Sequence, residues 1–165
     1  MASIATSSHL PALEEPHERE AIGRELEATL HELVDLSLIG KQLHWAVVGP
    51  LFRTLHLYID ELVDSWRALT DTVAERAVAL GYVPDGQARA VATGSQLAAV
   101  APAALVDHAV VWELTHRIAM VSERARARMD RLGELDVASQ DVLIDVVRTL
   151  EEQQWMLRAQ LSGRG

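Results

Sequence analysis

The sequence predicts an all-α protein: four long helices in one bundle, with a long crossover between the second and third helices. Three observations predict it. Apolar residues recur near the 3.6-residue period through four long segments. The helix breakers fall between those segments rather than inside them. Glycine is sparse, at 9 residues, and aromatics make up only 4% of the chain.

The elements follow in order. Residues 1–15, with Pro11 and several serines, read as a flexible N-terminal tail. Glu14-Glu15-Pro16 starts the first helix, with acids favoured by the helix dipole and proline near the first turn. Ile22, Leu26, Leu30, Leu33, Ile39 and Leu43 mark its buried face, and Gly49-Pro50 ends it. The second helix starts near Pro50, with Leu51, Leu55, Ile59, Leu62, Val63, Leu69 and Val73 on its apolar side. Tyr82-Val83-Pro84-Asp85-Gly86 is turn chemistry. Residues 87–103 form the crossover, in which residues 96–100 can form a short helix. The third helix runs from about Ala104 to Leu132 and stops at Gly133. Asp136 or Ser139 caps the fourth, which ends near Leu161. The bundle thus occupies residues 16–162, with a C-terminal tail at 163–165. The four tryptophans fall one per helix, at Trp45, Trp66, Trp112 and Trp155, and read as core or interface packing.

Composition narrows the function classes. The chain has 165 residues, the size of one domain, and 49% are hydrophobic, enough for a sizeable core. It has no cysteine, which excludes disulfides, thiolate zinc sites and cysteine nucleophiles. Fifteen basic against 24 acidic residues leave a net charge of −9, which suits cations better than nucleic acid. No stretch is long and apolar enough to span a membrane, and the start lacks the features of a signal peptide. The expectation is a cytoplasmic protein.

The chemistry gathers on the second helix. His56 and Asp60 are spaced i, i+4, and so are Asp71 and Glu75. With His56 at zero and about 100° per residue, the four lie near 0°, 40°, 60° and 100°, on one stripe. A solvated face would account for either pair alone. It accounts less well for the set, because His44 joins it: His44 lies as far before Pro50 as His56 lies after it, so a hairpin there brings the imidazoles to one height. Imidazole with carboxylate and no thiolate suits iron, manganese or zinc, and iron where redox chemistry is wanted.

Distance decides how such a site could close. The centres of the two pairs are fifteen residues apart, roughly 22 Å along a helix. They cannot share a metal within one chain. They can share one if a second copy packs antiparallel about a two-fold axis near residues 65 and 66, so that His44, His56 and Asp60 of one subunit face Asp71 and Glu75 of the other. Asp64 then falls near its own symmetry copy, as a further ligand or as a solvated charge. The rival is a di-iron site inside one bundle, which needs two Glu-x-x-His motifs on core-facing helices. Glu113-Leu114-Thr115-His116 supplies one; Glu14-Glu15-Pro16-His17 straddles a helix start and cannot supply the second. His116 and His108 then read as surface or interface histidines. A tail metal site from His9, Glu14 and His17 is only weakly signalled.

These residues resemble the Dps family, the mini-ferritins of the ferritin-like superfamily. The likeness rests on Lys41-Gln42-Leu43-His44-Trp45 through Gly49-Pro50, on Leu55-His56 and Ile59-Asp60-Glu61, and on Asp71-Thr72-Val73-Ala74-Glu75-Arg76. The spacing His-x11-His-x3-Asp-x10-Asp-x3-Glu is specific, and the likeness spans residues 18–162. It implies a ferritin-like four-helix bundle assembled as a hollow homododecamer. It implies intersubunit ferroxidase sites, each binding two irons, with His44, His56, Asp60, Asp71 and Glu75 as ligands and Trp45 beside them. It implies oxidation of Fe(II) to Fe(III), preferably by hydrogen peroxide, and storage of a ferric mineral, which protects against oxidative stress. Asp136, Asp141 and Asp145 match in spacing the aspartates of the family's three-fold pore for incoming iron. A ring of carboxylates there would focus a negative potential.

DNA binding is expected to be weak or absent. Residues 1–15 hold no Lys or Arg, and the C-terminal tail holds one Arg. Lys41 is the single lysine. The one basic cluster, Arg117, Arg124, Arg126, Arg128 and Arg131, is interleaved with Glu113, Glu123 and Asp130 and reads as a solvated helix face. The alternative function is a nucleoid-associated, DNA-protecting shell with little ferroxidase activity.

Overall fold

The computed structural model describes residues 16–161. The chain runs α1 (Pro16–Ala46), β1 (Val47–Val48), α2 (Phe52–Ala79), α3 (Ala88–Gly94), β2 (Leu105–Val106), α4 (Asp107–Leu132) and α5 (Val137–Leu161). α1 packs on α2 and α4 on α5, and contacts of α1 with α4 and of α2 with α5 close the bundle. The interior is aliphatic along its length, from Ile22, Leu26 and Leu33 on α1 to Leu143, Leu150 and Leu157 on α5. Both predicted tails lie outside the described residues.

The crossover differs from the sequence reading. The short helix is at Ala88–Gly94, not at 96–100. Gly94 ends it against the His31 ring, where a Cβ would lie 2.0 Å from Nδ1. The Ser95 hydroxyl then donates to Asp35, and Leu97 and Val100 lie against the core without helical structure. His31 is buried in α1 with its Nε2 2.8 Å from the Asp85 carbonyl, so the crossover is tied to α1 at both ends of α3.

A second difference lies at the start of α4. Residues 105 and 106 are not its first turn: Leu105 pairs with Val47 and Val106 with Val48 as a short parallel ladder. The crossover has carried the chain back along the bundle, so α4 starts where α1 ends. Asp107, buried at the head of α4, accepts from the Leu51 N–H at 3.1 Å and from the His108 N–H at 2.8 Å. It thereby fixes the α1–α2 turn. Gly49 holds φ 121° in that turn, and a Cβ there would meet the Asp107 carboxylate at 3.1 Å.

Two polar devices cross the apolar interior. Trp66, fully buried, donates its indole N–H to Gln153 at 2.7 Å, and the Gln153 amide donates to Ser65 at 3.0 Å. Glu32 has no exposed surface and takes Arg124 on one oxygen and Arg128 on the other, the latter at 2.7 Å. Of the four tryptophans only Trp66 is core. Trp45, Trp112 and Trp155 are 70%, 56% and 62% exposed on the single chain.

Gly40 on α1 allows the close approach of α2. A Cβ there would stand 2.7 Å from both Trp66 and Val63, and the Trp66–Gln153 bond prevents the indole from giving way. Gly40→Ala is expected to destabilise the fold by about 1–3 kcal/mol, read as a lowered melting temperature.

Candidate metal centre

α1 and α2 bring His44 and His56 together at the hairpin. The rings stack with centroids 3.6 Å apart and planes 25° from parallel. Each is held by the other's backbone: His44 Nδ1 lies 2.8 Å from the His56 carbonyl, and His56 Nδ1 lies 3.1 Å from the His44 carbonyl. A carbonyl only accepts, so both Nδ1 atoms carry the proton. That leaves the Nε2 lone pair of each ring as the free donor, the arrangement that fixes metal-ligating imidazoles. Burial holds the His44 pKa below its ordinary value, against the backbone bond that would raise it, so the ring stays neutral. Phe52 covers His56 from the α2 side at 5.0 Å.

Asp60 completes this half. Its carboxylate lies 3.3 Å from His44 Nδ1 and accepts from Lys41 Nζ at 2.6 Å. The Lys41 bond keeps the carboxyl below its ordinary pKa despite some desolvation. The role of Lys41 was not evident from the motif. The available signal was its place one helical turn before His44 on the same face.

Asp71 and Glu75 stand exposed on α2. The helix is unbroken between them and His56, so the 1.5 Å rise applies, and the two halves are roughly 22 Å apart. Among the described residues, no three His, Asp or Glu groups of one chain come together in position to hold a metal ion. The intrachain alternative finds no support in the bundle: Glu113 is paired with Arg117, and His116 is exposed and stacked on Trp112. His17 is exposed at the start of α1; His9 and Glu14 lie outside the described residues. Trp45 is exposed beside His44, next to the crossover.

The three pore candidates are not equivalent. Asp141 and Asp145 are exposed on α5, the latter 3.4 Å from Arg148. Asp136 instead caps α5 through the Ser139 N–H at 3.0 Å and takes Arg76 of α2 at 2.5 Å. Burial pushes its pKa up, but the bonds from Ser139 and Arg76 outweigh this and leave it below the ordinary value. A depressed folded-state pKa gives stability that is fully present above the unfolded carboxylate value and is lost as pH falls through the folded one. Asp136→Asn is therefore expected to lose stability at neutral pH and to flatten the acid limb of a melting-temperature profile below about pH 4.

The bundle with a long crossover and paired imidazoles at a helix hairpin defines a ferritin-like protein, and the ferritin-like domain profile matches residues 24–163. The chain is 36% identical to the fine tangled pili major subunit of Haemophilus ducreyi over 149 residues, which cover 87% of this chain and 77% of that protein. It is 35% identical to the DNA protection during starvation protein of Mycolicibacterium smegmatis over 142 residues, 85% of this chain and 76% of that one. Among solved structures, DpsA14 from Streptomyces coelicolor superposes with a TM-score of 0.88 at 35% identity, covering 94% of this chain and 92% of that one. The chain belongs to the Dps family of ferritin-like proteins. No helix among the described residues is long and apolar enough to cross a membrane.

Proposed function

We propose that this protein oxidises Fe(II) with hydrogen peroxide at sites shared between two subunits and stores the Fe(III) as a mineral inside a homododecameric shell in the cytoplasm. The observation that carries the reading is the locked pair of imidazoles. His44 and His56 each leave Nε2 unprotonated, the Asp60 carboxylate lies beside His44, and His56 and Asp60 share the α2 stripe with Asp71 and Glu75, which one chain cannot bring to them. His44, His56 and Asp60 of one subunit, with Asp71 and Glu75 of the other, supply two neutral nitrogens and three carboxylates. That set holds iron in both oxidation states.

Two Fe(II) each give up one electron, and one peroxide takes both electrons and two protons to become two waters. No hydroxyl radical is released in that balance, which is the protective value of the reaction. The protein holds two metals close and leaves positions open for the oxidant. Lys41 holds the Asp60 carboxylate in place until a metal cation takes over that role. Asp141 and Asp145 are the exposed carboxylates of the proposed pore, with Asp136 serving as cap and Arg76 anchor.

The test is peroxide-driven oxidation of Fe(II) by metal-stripped protein under anaerobic conditions, followed by ferric absorbance. A fast saturable phase with a soluble product supports the reading. Precipitation at the rate of a protein-free control contradicts it.

DNA protection names several relatives, but the body of this chain gives DNA little to hold. Arg117 is paired with Glu113, Arg124 and Arg128 with Glu32, Arg126 with Glu151, and Arg131 with Glu25. A gel shift at neutral pH and physiological salt is expected to show no retained complex; tight, salt-sensitive retention would overturn this.

A further inference from the structure

Three pairs on the exposed stripe of α2 obey one rule: His56 with Glu75, Asp60 with Asp71, and Asp64 with Arg67 each place two residues at equal distances from a midpoint between residues 65 and 66. The first two pairs are the metal donors. The third pair is the innermost, and its members carry opposite charge. With His56 at zero, Arg67 lies near 20° and Asp64 near 80°, inside the stripe that the donors span. Both side chains are exposed, and neither has an ion-pair partner among the described residues of its own chain. Beside Arg67, α1 presents Leu38 at 57% exposure, and the same side of α1 carries the exposed Trp45.

We propose that Asp64 of each subunit pairs with Arg67 of the other across the two-fold axis, and that these two reciprocal ion pairs set the register in which the metal half-sites meet. The occupant of the surface is a second copy of this chain, because the surface is complementary in charge to itself only under that antiparallel rotation. A slip of one helical turn would move His56 and Asp60 about 5 Å past Glu75 and Asp71 and would set Asp64 and Arg67 out of reach of each other. Asp64 and Arg67 are positioning residues and touch no metal. The proposal rests on the shared-site reading and adds the device that aligns it.

Charge reversal tests it. D64R and R67D each place like charges across the axis twice per dimer, and each is expected to weaken the two-fold dimer about tenfold, read as its dissociation constant over a dilution series. The double variant D64R/R67D restores opposite charges in exchanged positions and is expected to return to within about threefold of the parent. A second measurement covers variants that fold poorly. The chain has no cysteine, so D64C chains co-assembled with R67C chains form a disulfide only where the register brings those positions together. They are expected to give a covalent dimer on mild oxidation. R53C with R67C, on the same stripe but about 16 Å out of register, is expected to give no 53–67 disulfide when the cross-linked peptides are mapped.

No recovery in the double variant, or no D64C–R67C cross-link between folded subunits, overturns the pairing. If the cross-link forms while co-assembled half-site variants fail to rebuild cobalt binding, the metal reading falls and the register stands. If cobalt binding is rebuilt without the cross-link, the pairing falls and the metal reading stands.

Discussion

Replacing His56 by alanine is expected to lower affinity for Fe(II) or Co(II) by about 100-fold or more, since loss of a partner one shell further out already costs 10–100-fold. The fast phase of iron oxidation goes with it. The substitution removes two things at once: the Nε2 donor, and the Nδ1–H that holds the His44 carbonyl at 3.1 Å. The stacked His44 ring then loses its neighbour at 3.6 Å and with it a fixed orientation. The fold does not depend on this residue, because His56 is only half-buried while Leu55 and Ile59 beside it carry the core contacts. Isothermal titration with Co(II) checks the affinity, and an unchanged melting temperature separates a lost ligand from a lost fold. Retained affinity with retained fast oxidation would remove His56 from the site.

The largest effect on stability is expected at Glu32. Glu32→Gln keeps the shape and removes the charge, leaving Arg124 and Arg128 opposite an amide in the α1–α4 contact. Arg128 is itself buried, so its charge cannot be recovered by water. Breaking a buried pair in this way costs about 3–5 kcal/mol. For a chain of this size that lowers the melting temperature by about 6–20 °C at fixed protein concentration. Glu25→Gln is the natural comparison. It removes one end of the Arg131 pair, where the arginine is 54% exposed, and is expected to cost about 1 kcal/mol or less. Equal shifts for the two variants would show that burial of Glu32 does not set the difference.

The helices were legible because their signals are local and repeated. Ile22 to Leu43 on α1 and Leu55 to Val73 on α2 carry the period, and the buried faces of the structure fall on those residues. The placement of His56, Asp60, Asp71 and Glu75 on one stripe was legible for the same reason, as an unbroken helix turns spacing into direction and distance. The short ladder of Val47–Val48 with Leu105–Val106 was not, because two residues per strand give no pattern and the pairing depends on where a long crossover returns. The position of α3 was missed because contact with His31 and Asp35 of α1 decides it, rather than propensity within 87–103. The same limit applies to Asp136. Its spacing placed it with Asp141 and Asp145, but Arg76, sixty residues earlier in the chain, takes its carboxylate. Glu32 gave no sign of burial either, since its two arginines sit more than ninety residues away.

Sharing of each site by two subunits is tested most directly by mixing two crippled chains. H56A/D60A lacks one half-site and D71A/E75A lacks the other, so neither is expected to bind Co(II) at high affinity as a homo-oligomer. Co-expressed with different tags and purified through both, they form mixed dimers in which one site has all its ligands and the other keeps only His44. With random pairing half the dimers are mixed, and about a quarter of the parent's high-affinity Co(II) capacity is expected to return. No recovery, from mixed oligomers shown to contain both chains, would contradict a site shared in this way and would leave the five donors without a common metal.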